Sequence, residues 1–118
     1  MVDLVGTCPK DFWAEWIAEG DAAGDPYTGE VWGWFTNHPM INSIDVSDRF
    51  YVVAHGKLRG YSIVTEFERD ASGRRIAIGR RGGAVAATLP DVIVGFRGLR
   101  ARWWERRDEV PFPNWRTP

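Results

Sequence analysis

The clearest pattern of apolar and polar positions lies between residues 46 and 68, which read VSDRFYVVAHGKLRGYSIVTEFE. Residues 50–54 are an unbroken apolar run, which is typical of a buried strand. A tight turn at His55-Gly56-Lys57 follows, and beyond it apolar and polar side chains alternate over residues 61–68. The pattern predicts a β-hairpin with one fully buried strand and one half-buried strand.

Two elements are predicted before this hairpin. Leu4–Thr7 has the composition of a short opening strand, and Pro9 follows at a position that suits a helix start. Over residues 11–19, Phe12 and Trp16 are spaced four apart, so one amphipathic helix is expected, ended by Gly20. We expect Phe12, Trp16 and Ile17 to pack into the core.

Residues 20–48 are predicted to be a long loop, because glycine, proline and asparagine interrupt them repeatedly. The aromatic residues Trp32, Trp34 and Phe35 argue against disorder, since such side chains must pack on something. Trp32 and Trp34 lie two apart, so in an extended segment they point the same way and can form one wall of a cleft. This loop is the predicted binding element.

Strands are predicted after the hairpin at residues 75–78, 84–88 and 99–104, with residues 92–94 as a further candidate. The prolines of residues 110–115 exclude a helix, and their aromatic neighbours predict a tail that docks on the body. The total is five or six strands with one or two short helices. We therefore expect one α+β domain over residues 1–118, built as a β-barrel.

Composition narrows the class of protein. A single cysteine, Cys8, excludes an internal disulfide and a cysteine-rich metal site, and the two histidines are too few for a structural zinc. We expect no metal, no cofactor and no catalytic residue, because no hydrolase or phosphate-loop motif occurs. No apolar run reaches the roughly 20 residues that span a membrane. The expectation is a cytoplasmic protein, and a monomer is favoured.

Charge is divided unevenly along the chain. Residues 1–48 carry one basic and nine acidic residues, a net charge of −8, whereas residues 49–118 carry 14 basic and seven acidic residues, a net charge of +7. Such a split indicates a surface that faces a polyanion. The alternative is that the two halves interleave in three dimensions and neutralise each other as ion pairs.

Three clusters of basic residues are candidate contacts for nucleic acid. The first is Arg80-Arg81-Gly82-Gly83. Its two guanidinium groups can bind phosphate or a guanine edge, and its glycines allow the backbone to approach a ligand closely. The hairpin turn carries His55, Lys57 and Arg59. Arginines on the outward face of residues 97–107, Arg100 and Arg102 among them, form a stripe beside Trp104 that is typical of stacking and charge contacts. The alternatives are a surface turn with solvated arginines for the first cluster, a histidine that caps the turn for the second, and a solvated strand face paired to the acidic half for the third.

Two motifs, Asp48-Arg49-Phe50-Tyr51 and Leu58-Arg59-Gly60-Tyr61, resemble the central hairpin of PUA-like domains, particularly the ASCH and EVE branches. Small bacterial and phage proteins share similar segments, including Gly-Arg-Arg-Gly-Gly-Ala-Val-Ala. The resemblance implies a barrel whose cleft, beside the N-terminal helix, accepts RNA or a flipped and often methylated base. It implies that Thr7, Trp32, Trp34 and the His55 turn line that cleft.

The function predicted from these observations is nucleic-acid binding, with RNA or DNA as partner and a modified or flipped base held in an aromatic cleft. The alternatives are a small ASCH-type hydrolase or ribonuclease acting on RNA or a modified nucleoside, and a protein-interaction module. The predicted binding residues are Thr7, Trp32, Trp34, His55, Lys57, Arg59, Arg80, Arg81, Arg100 and Arg102.

Overall fold

A computed structural model describes residues 2–18, 25–28 and 31–118. Within these residues the chain forms nine short strands, one α-helix and two 3₁₀-helices. The strands are β1 Leu4–Thr7, β2 Trp32–Phe35, β3 Arg49–Ala54, β4 Lys57–Ile63, β5 Glu66–Arg69, β6 Arg75–Arg80, β7 Ala87–Thr88, β8 Leu99–Ala101 and β9 Val110–Pro111; the helices are α1 Lys10–Ala18 and the 3₁₀-helices Pro39–Ser43 and Arg106–Asp108.

The first sheet has the strand order β4-β3-β1-β8 and contains the predicted hairpin. Strands β3 and β4 are antiparallel, and the two residues between them, His55 and Gly56, have φ values of 50° and 75°. Two consecutive positive φ values fit the tight hairpin turn that matches the right-handed twist of the strands. The opening strand β1 pairs with β3 in parallel and with β8 in antiparallel fashion.

The second sheet has the order β2-β6-β5, and a third pairs β7 with β9. The chain passes from the first sheet into the second at Val64 and Thr65, where the Thr65 N–H donates to the Gly79 carbonyl at 3.0 Å. Among the described residues, none of the three sheets closes into a barrel. The α+β class is confirmed at this level.

The core consists of two clusters, one on each face of the first sheet. Because side chains alternate along a strand, Leu4 and Phe50 face one side while Val5 and Tyr51 face the other. The first side is covered by α1 and the second sheet. The second side is covered by Leu89 and the segment that follows it. Any two sites on opposite sides of this sheet are therefore separated by a packed layer.

Helix α1 buries Trp16, as predicted, but it turns Trp13 inward instead of Phe12. Trp13 and Trp16, spaced three apart, are 3% and 5% exposed, whereas Phe12 is 50% exposed, so its predicted core position is wrong. Ile17 is half-buried and packs against the core, so its predicted core position is confirmed in part. The predicted helix end at residues 19 and 20 lies outside the described residues. In the described part of the chain, no helix has the length and apolar character that crossing a membrane requires.

The long segment before the hairpin is more regular than predicted. Residues 32–35 form strand β2, and residues 39–43 form a 3₁₀-helix whose first turn is capped by the His38 side chain. Toward the C-terminus, β8 ends at Ala101, three residues earlier than the alternation indicated, and residues 92–94 form no strand.

The C-terminal tail docks on the body, as expected. Trp115 is buried, and its ring lies 6.1 Å from that of Trp13 and 6.2 Å from that of Trp16. Arg59 holds the same segment, because its guanidinium donates to the carbonyls of Trp115 and Thr117.

Candidate binding cleft

The antiparallel register of β2 and β6 gathers the first wall of a cleft. Trp32 lies opposite Arg80 and Trp34 lies opposite Ile78. Directly opposed residues share a face of a sheet, and residues two apart on one strand share it too. All four side chains therefore project from one face of the second sheet. The predicted common direction of Trp32 and Trp34 follows from this pairing.

The facing wall comes from the helix and the first sheet. The ring of Trp34 lies 5.3 Å from that of Phe50, and the ring of Trp16 lies 6.5 Å from that of Trp32. Phe12, the exposed helix residue, completes the rim. A cavity of about 360 Å³ lies between these walls, within the range of small-molecule sites. We call it the aromatic cleft; its lining residues are Cys8, Pro9, Phe12, Trp16, Trp32, Gly33, Trp34, Phe35, Phe50, Val52, Ile78 and Arg80.

Gly6 lies under the cleft, at the junction of the two sheets. A Cβ atom at this position would approach Phe50 Cζ to 3.0 Å and Trp34 Cζ2 to 3.1 Å. Both distances are shorter than ordinary van der Waals contact. The absence of a side chain at residue 6 therefore lets Trp34 rest against Phe50.

Arg80 is the charged residue among the described residues that line the cleft. Arg80 is 4% exposed, stacks its guanidinium 4.7 Å above the Trp16 ring and donates to Ser62 Oγ at 2.8 Å. The indole Nε1 atoms of Trp16 and Trp32 are buried and meet no acceptor within the described residues. Tryptophan and arginine side chains can only donate. A ligand in the cleft therefore meets aromatic faces, with the Arg80 side chain among the lining residues.

Residues of the hairpin turn and of β1 lie outside the lining of the aromatic cleft. Thr7 Oγ1 accepts a hydrogen bond from the Phe96 N–H at 3.1 Å, which ties a distant loop to β1. The His55 ring meets the edge of Trp13, with 6.0 Å between ring centres. Lys57 is exposed, with its ammonium group 5.8 Å from the centre of the Phe112 ring.

Arg59 is buried, whereas the sequence predicted a residue that contacts nucleic acid at the surface. It is 2% exposed, and its Nε donates to the Ala54 carbonyl at 2.8 Å in addition to the tail carbonyls. Burial lowers the pKa of the Arg59 guanidinium from its ordinary value. Its alternation along β4 points it inward, so it is turned away from any ligand on the surface.

The Arg80-Arg81-Gly82-Gly83 motif divides between two roles. Arg80 joins the cleft, whereas Arg81 Nε donates to Glu66 Oε1 at 2.7 Å, and this hydrogen bond lowers the pKa of the Glu66 carboxyl. Gly82 has a φ of 53°, and a Cβ there would collide with backbone and side-chain oxygens of residues 25 and 28. The glycines therefore let the chain approach residues 25–28 closely.

Arg100 and Arg102 lie on the other side of the first sheet from the cleft. Arg100 pairs with Val5, whose side chain belongs to the second core cluster. The Arg100 guanidinium stacks 4.1 Å above the Phe96 ring. The surrounding depression, which we call the arginine groove, is lined by Leu89, Pro90, Asp91, Val92, Ile93, Val94, Arg100, Arg102, Trp103, Trp104, Glu105 and Asp108.

Part of the predicted basic stripe, Arg102 and Arg106, is neutralised by one carboxylate. Asp3, with a side chain only 1% exposed, accepts from Arg102 Nε at 2.9 Å and from both Nε and a terminal nitrogen of Arg106. Burial alone would raise the pKa of the Asp3 carboxyl, but bonds from the Arg49 N–H and the two guanidinium groups outweigh it and lower that pKa. The halves of the chain therefore interleave here, which was the alternative to a polyanion-facing stripe.

The outward aromatic residue of the groove also differs from the prediction. Trp104 packs against Tyr51 and donates its indole N–H to Glu109 at 2.9 Å, whereas Trp103 is 51% exposed. Because β8 ends at Ala101, the alternation does not continue to these two residues.

Several cleft residues were missed in the sequence. Phe50, Val52 and Ile78 carry only the signal of buried strands, and their place beside Trp34 depends on how the sheets meet. Phe12 borders the cleft only because of how α1 packs against the sheets, so its place there could not be predicted from the sequence either.

A scan against protein-family models, a search of curated proteins and a search of solved structures each found no match to this chain.

Proposed function

We propose that this domain binds single-stranded or locally opened nucleic acid by holding one unstacked base in the aromatic cleft. The observation that carries the proposal is the convergence of Trp16, Trp32, Trp34 and Phe50 on one cavity of about 360 Å³ with Arg80 at its side. Flat aromatic walls suit a planar ring, because each stacked base contributes roughly 1–3 kcal/mol of binding free energy.

The energetics of extrusion fit such a site. Taking a base out of a stack costs a few kcal/mol, which stacking on the cleft walls and hydrogen bonds to the base edge must offset. The apolar residues Val52 and Ile78 leave part of the cleft suited to a methyl group, so a modified base remains a candidate ligand. The resemblance of the hairpin motifs to PUA-like barrels supports the same function, and that relationship is part of the proposal. We place this activity in the cytoplasm.

A hydrolase or ribonuclease has less support. Lys57 and Glu66, the residues whose substitution would test for such an activity, are absent from the lining of the aromatic cleft. Glu66 is engaged by Arg81, and Lys57 extends from the hairpin turn toward Phe112.

A protein partner is a second candidate, favoured by one observation in the arginine groove. Val92 and Val94 are 73% and 81% exposed, and Trp103 beside them is half-exposed. Exposed apolar groups that cluster in this way are typical of interaction surfaces.

The test of the cleft is truncation of Trp34 to alanine. Trp34 is half-buried, so its loss should weaken binding of a short single-stranded oligonucleotide by about 1–3 kcal/mol. Calorimetric titration measures this affinity, and thermal melting checks that the variant is folded.

The matched control is Trp103→Ala, which removes an exposed tryptophan from the opposite side of the first sheet. Affinity should be unchanged in that variant. Equal affinities of the Trp34→Ala variant and the parent, measured per folded molecule, would exclude the aromatic cleft as the binding site.

A further inference from the structure

We infer that two copies of this chain associate by pairing the free edges of their β2 strands, so that the second sheet continues across a two-fold axis. The inference does not depend on the proposed function, because it follows from the backbone and the side chains of one edge strand. It departs from the monomer that the sequence favoured, since a dimer should form as the protein concentration rises.

The outer edge of β2 carries backbone groups that have no partner among the described residues. In the order β2-β6-β5, one side of β2 faces a neighbouring strand. The Thr36 N–H donates to the Ile76 carbonyl at 3.0 Å, which places the backbone groups of Thr36 on the β6 side. Because this direction alternates along an antiparallel strand, Gly33 and Phe35 direct their N–H and C=O groups away from β6. Within the described ranges, no backbone group bonds to either residue from that outer side.

This edge also lacks the charges that usually protect an edge strand. Charged side chains on an edge discourage a second chain from adding to the sheet. Strand β5, at the other edge of the same sheet, carries Glu66, Glu68 and Arg69. Residues 31–37, which read VWGWFTN, contain no charged residue. A second chain that approaches β2 therefore meets no charge on the strand itself, and two identical copies meet no like-charge repulsion there.

The side chains of β2 make a second copy the occupant that fits. An antiparallel pair with Trp34 at its centre aligns Gly33 of each copy with Phe35 of the other. These are the residues with outward backbone groups, so each aligned pair can exchange two hydrogen bonds. Phe35 is 67% exposed, and a Cβ atom on Gly33 would meet nothing within 4 Å. The Phe35 ring of one copy can therefore lie over Gly33 of the other, an arrangement that compensates for a glycine in an edge strand.

The same register brings the two aromatic clefts together. Trp34 of one copy would lie directly opposite Trp34 of the other in a pair without hydrogen bonds, where Cβ atoms are about 4.5–5.5 Å apart. Both Trp34 side chains would stand on the cleft face of the extended sheet, because Trp34 shares that face with Trp32. Each cleft would then be bordered by an aromatic ring from the second copy.

The first test is the oligomeric state of the intact chain, measured by sedimentation velocity from micromolar to millimolar concentration. We expect a reversible equilibrium between monomer and dimer. Phe35→Lys adds a charge to the edge, and the two-fold symmetry adds it twice, so the dissociation constant of the dimer should rise about tenfold or more. The matched control is Phe12→Lys, which removes another exposed phenylalanine from the rim of the cleft and leaves the strand edge unchanged. Its dissociation constant should equal that of the parent, and thermal melting checks that both variants are folded.

Amide hydrogen exchange then locates the contact in the parent chain. In the dilute monomer, the N–H groups of Gly33 and Phe35 should exchange rapidly, whereas that of Thr36 should exchange slowly because it is bonded to β6. Raising the protein concentration should slow exchange at Gly33 and Phe35 in proportion to the fraction of dimer. Exchange at Thr36 should stay the same.

The outcomes separate this inference from the proposed function. A chain that stays monomeric up to millimolar concentration would overturn the inference. A dimer that survives Phe35→Lys, or that Phe12→Lys weakens equally, would overturn the β2 edge as the contact, as would Gly33 and Phe35 amides already protected in the dilute monomer. Oligonucleotide binding is measured at concentrations where the protein is monomeric, so failure of either proposal leaves the other standing.

Discussion

The aromatic cleft and the arginine groove lie on opposite sides of the first sheet and use their charged residues differently. Beside the cleft, one buried arginine stacks on Trp16, and the buried indole nitrogens of Trp16 and Trp32 meet no acceptor within the described residues. In the groove, the carboxylate of Asp3 binds Arg102 and Arg106. A high count of arginine in the sequence therefore does not by itself identify a binding surface.

The comparison also separates two kinds of tryptophan. Trp104 has a hydrogen-bond partner in Glu109 and packs on Tyr51, so it belongs to the structure of the groove. Trp16 and Trp32 pack on other rings, and their donors face no acceptor within the described residues. The two kinds of tryptophan differ in whether the indole N–H has a hydrogen-bond acceptor.

The largest expected effect is on stability, from Asp3→Asn in the network beneath the groove. Removing the charge leaves two guanidinium groups without their carboxylate, and loss of one partner from a buried ionic cluster costs about 3 kcal/mol or more. Urea unfolding at pH 7 measures the change in the free energy of unfolding. Base affinity per folded molecule should not change, since the cleft is on the other side of the sheet.

The same substitution has a pH signature. Because the folded-state pKa of Asp3 is lowered, its contribution is present above the unfolded value of about 3.9 and is lost as pH falls through the folded value. The parent should therefore lose more stability than Asp3→Asn between neutral and strongly acidic pH. Asp108→Asn, at an exposed carboxylate, is the control and should follow the parent. Parallel acid profiles for Asp3→Asn and the parent would contradict the assignment.

A smaller effect is expected from Gly6→Ala, which acts on the cleft. The new methyl group would press on Phe50 and Trp34, and overpacking of this kind costs about 1 kcal/mol or more. Trp34 must shift to make room, so binding of a short oligonucleotide should weaken together with stability.

The matched control for that substitution is Gly33→Ala. Gly33 borders the same cleft, yet a Cβ atom there meets nothing within 4 Å. Melting temperature and affinity should both stay close to the parent values. If the two alanine variants behave alike, Gly6 does not position Trp34.

Local sequence patterns predicted those features of the fold that are determined by residues close together in the sequence. The hairpin and its turn follow from alternation and from glycine at position 56, and the shared direction of Trp32 and Trp34 follows from their spacing. Helix α1 was harder, because Phe12, Trp13 and Trp16 place aromatic rings on two faces and only tertiary packing selects between them. Asp3 and Arg106 are 103 residues apart, so no local pattern joins them.

The absence of barrel closure in the described residues has a similar cause. Strand count and alternation were read from single segments, whereas closure depends on which sheet edges meet. The bend at Val64 and Thr65 carries the chain from one sheet to the next, and the sequence there shows only continued alternation.

The smallest expected effect is on the salt dependence of binding, from Arg100→Ala in the groove. Arg100 pairs with Val5 on the side away from the cleft and stacks on Phe96, so a trinucleotide held in the cleft should not reach it. The slope of log affinity against log salt should therefore equal that of the parent. A phosphate contact would instead make its removal flatten the slope by about 0.7, the value for one contact on a single strand. Trp34→Ala provides the contrast, since it should lower affinity at every salt concentration without changing the slope. A flattened slope in Arg100→Ala would mean that even a short strand passes around the edge of β8, and the cleft and the groove would then be two ends of one binding surface.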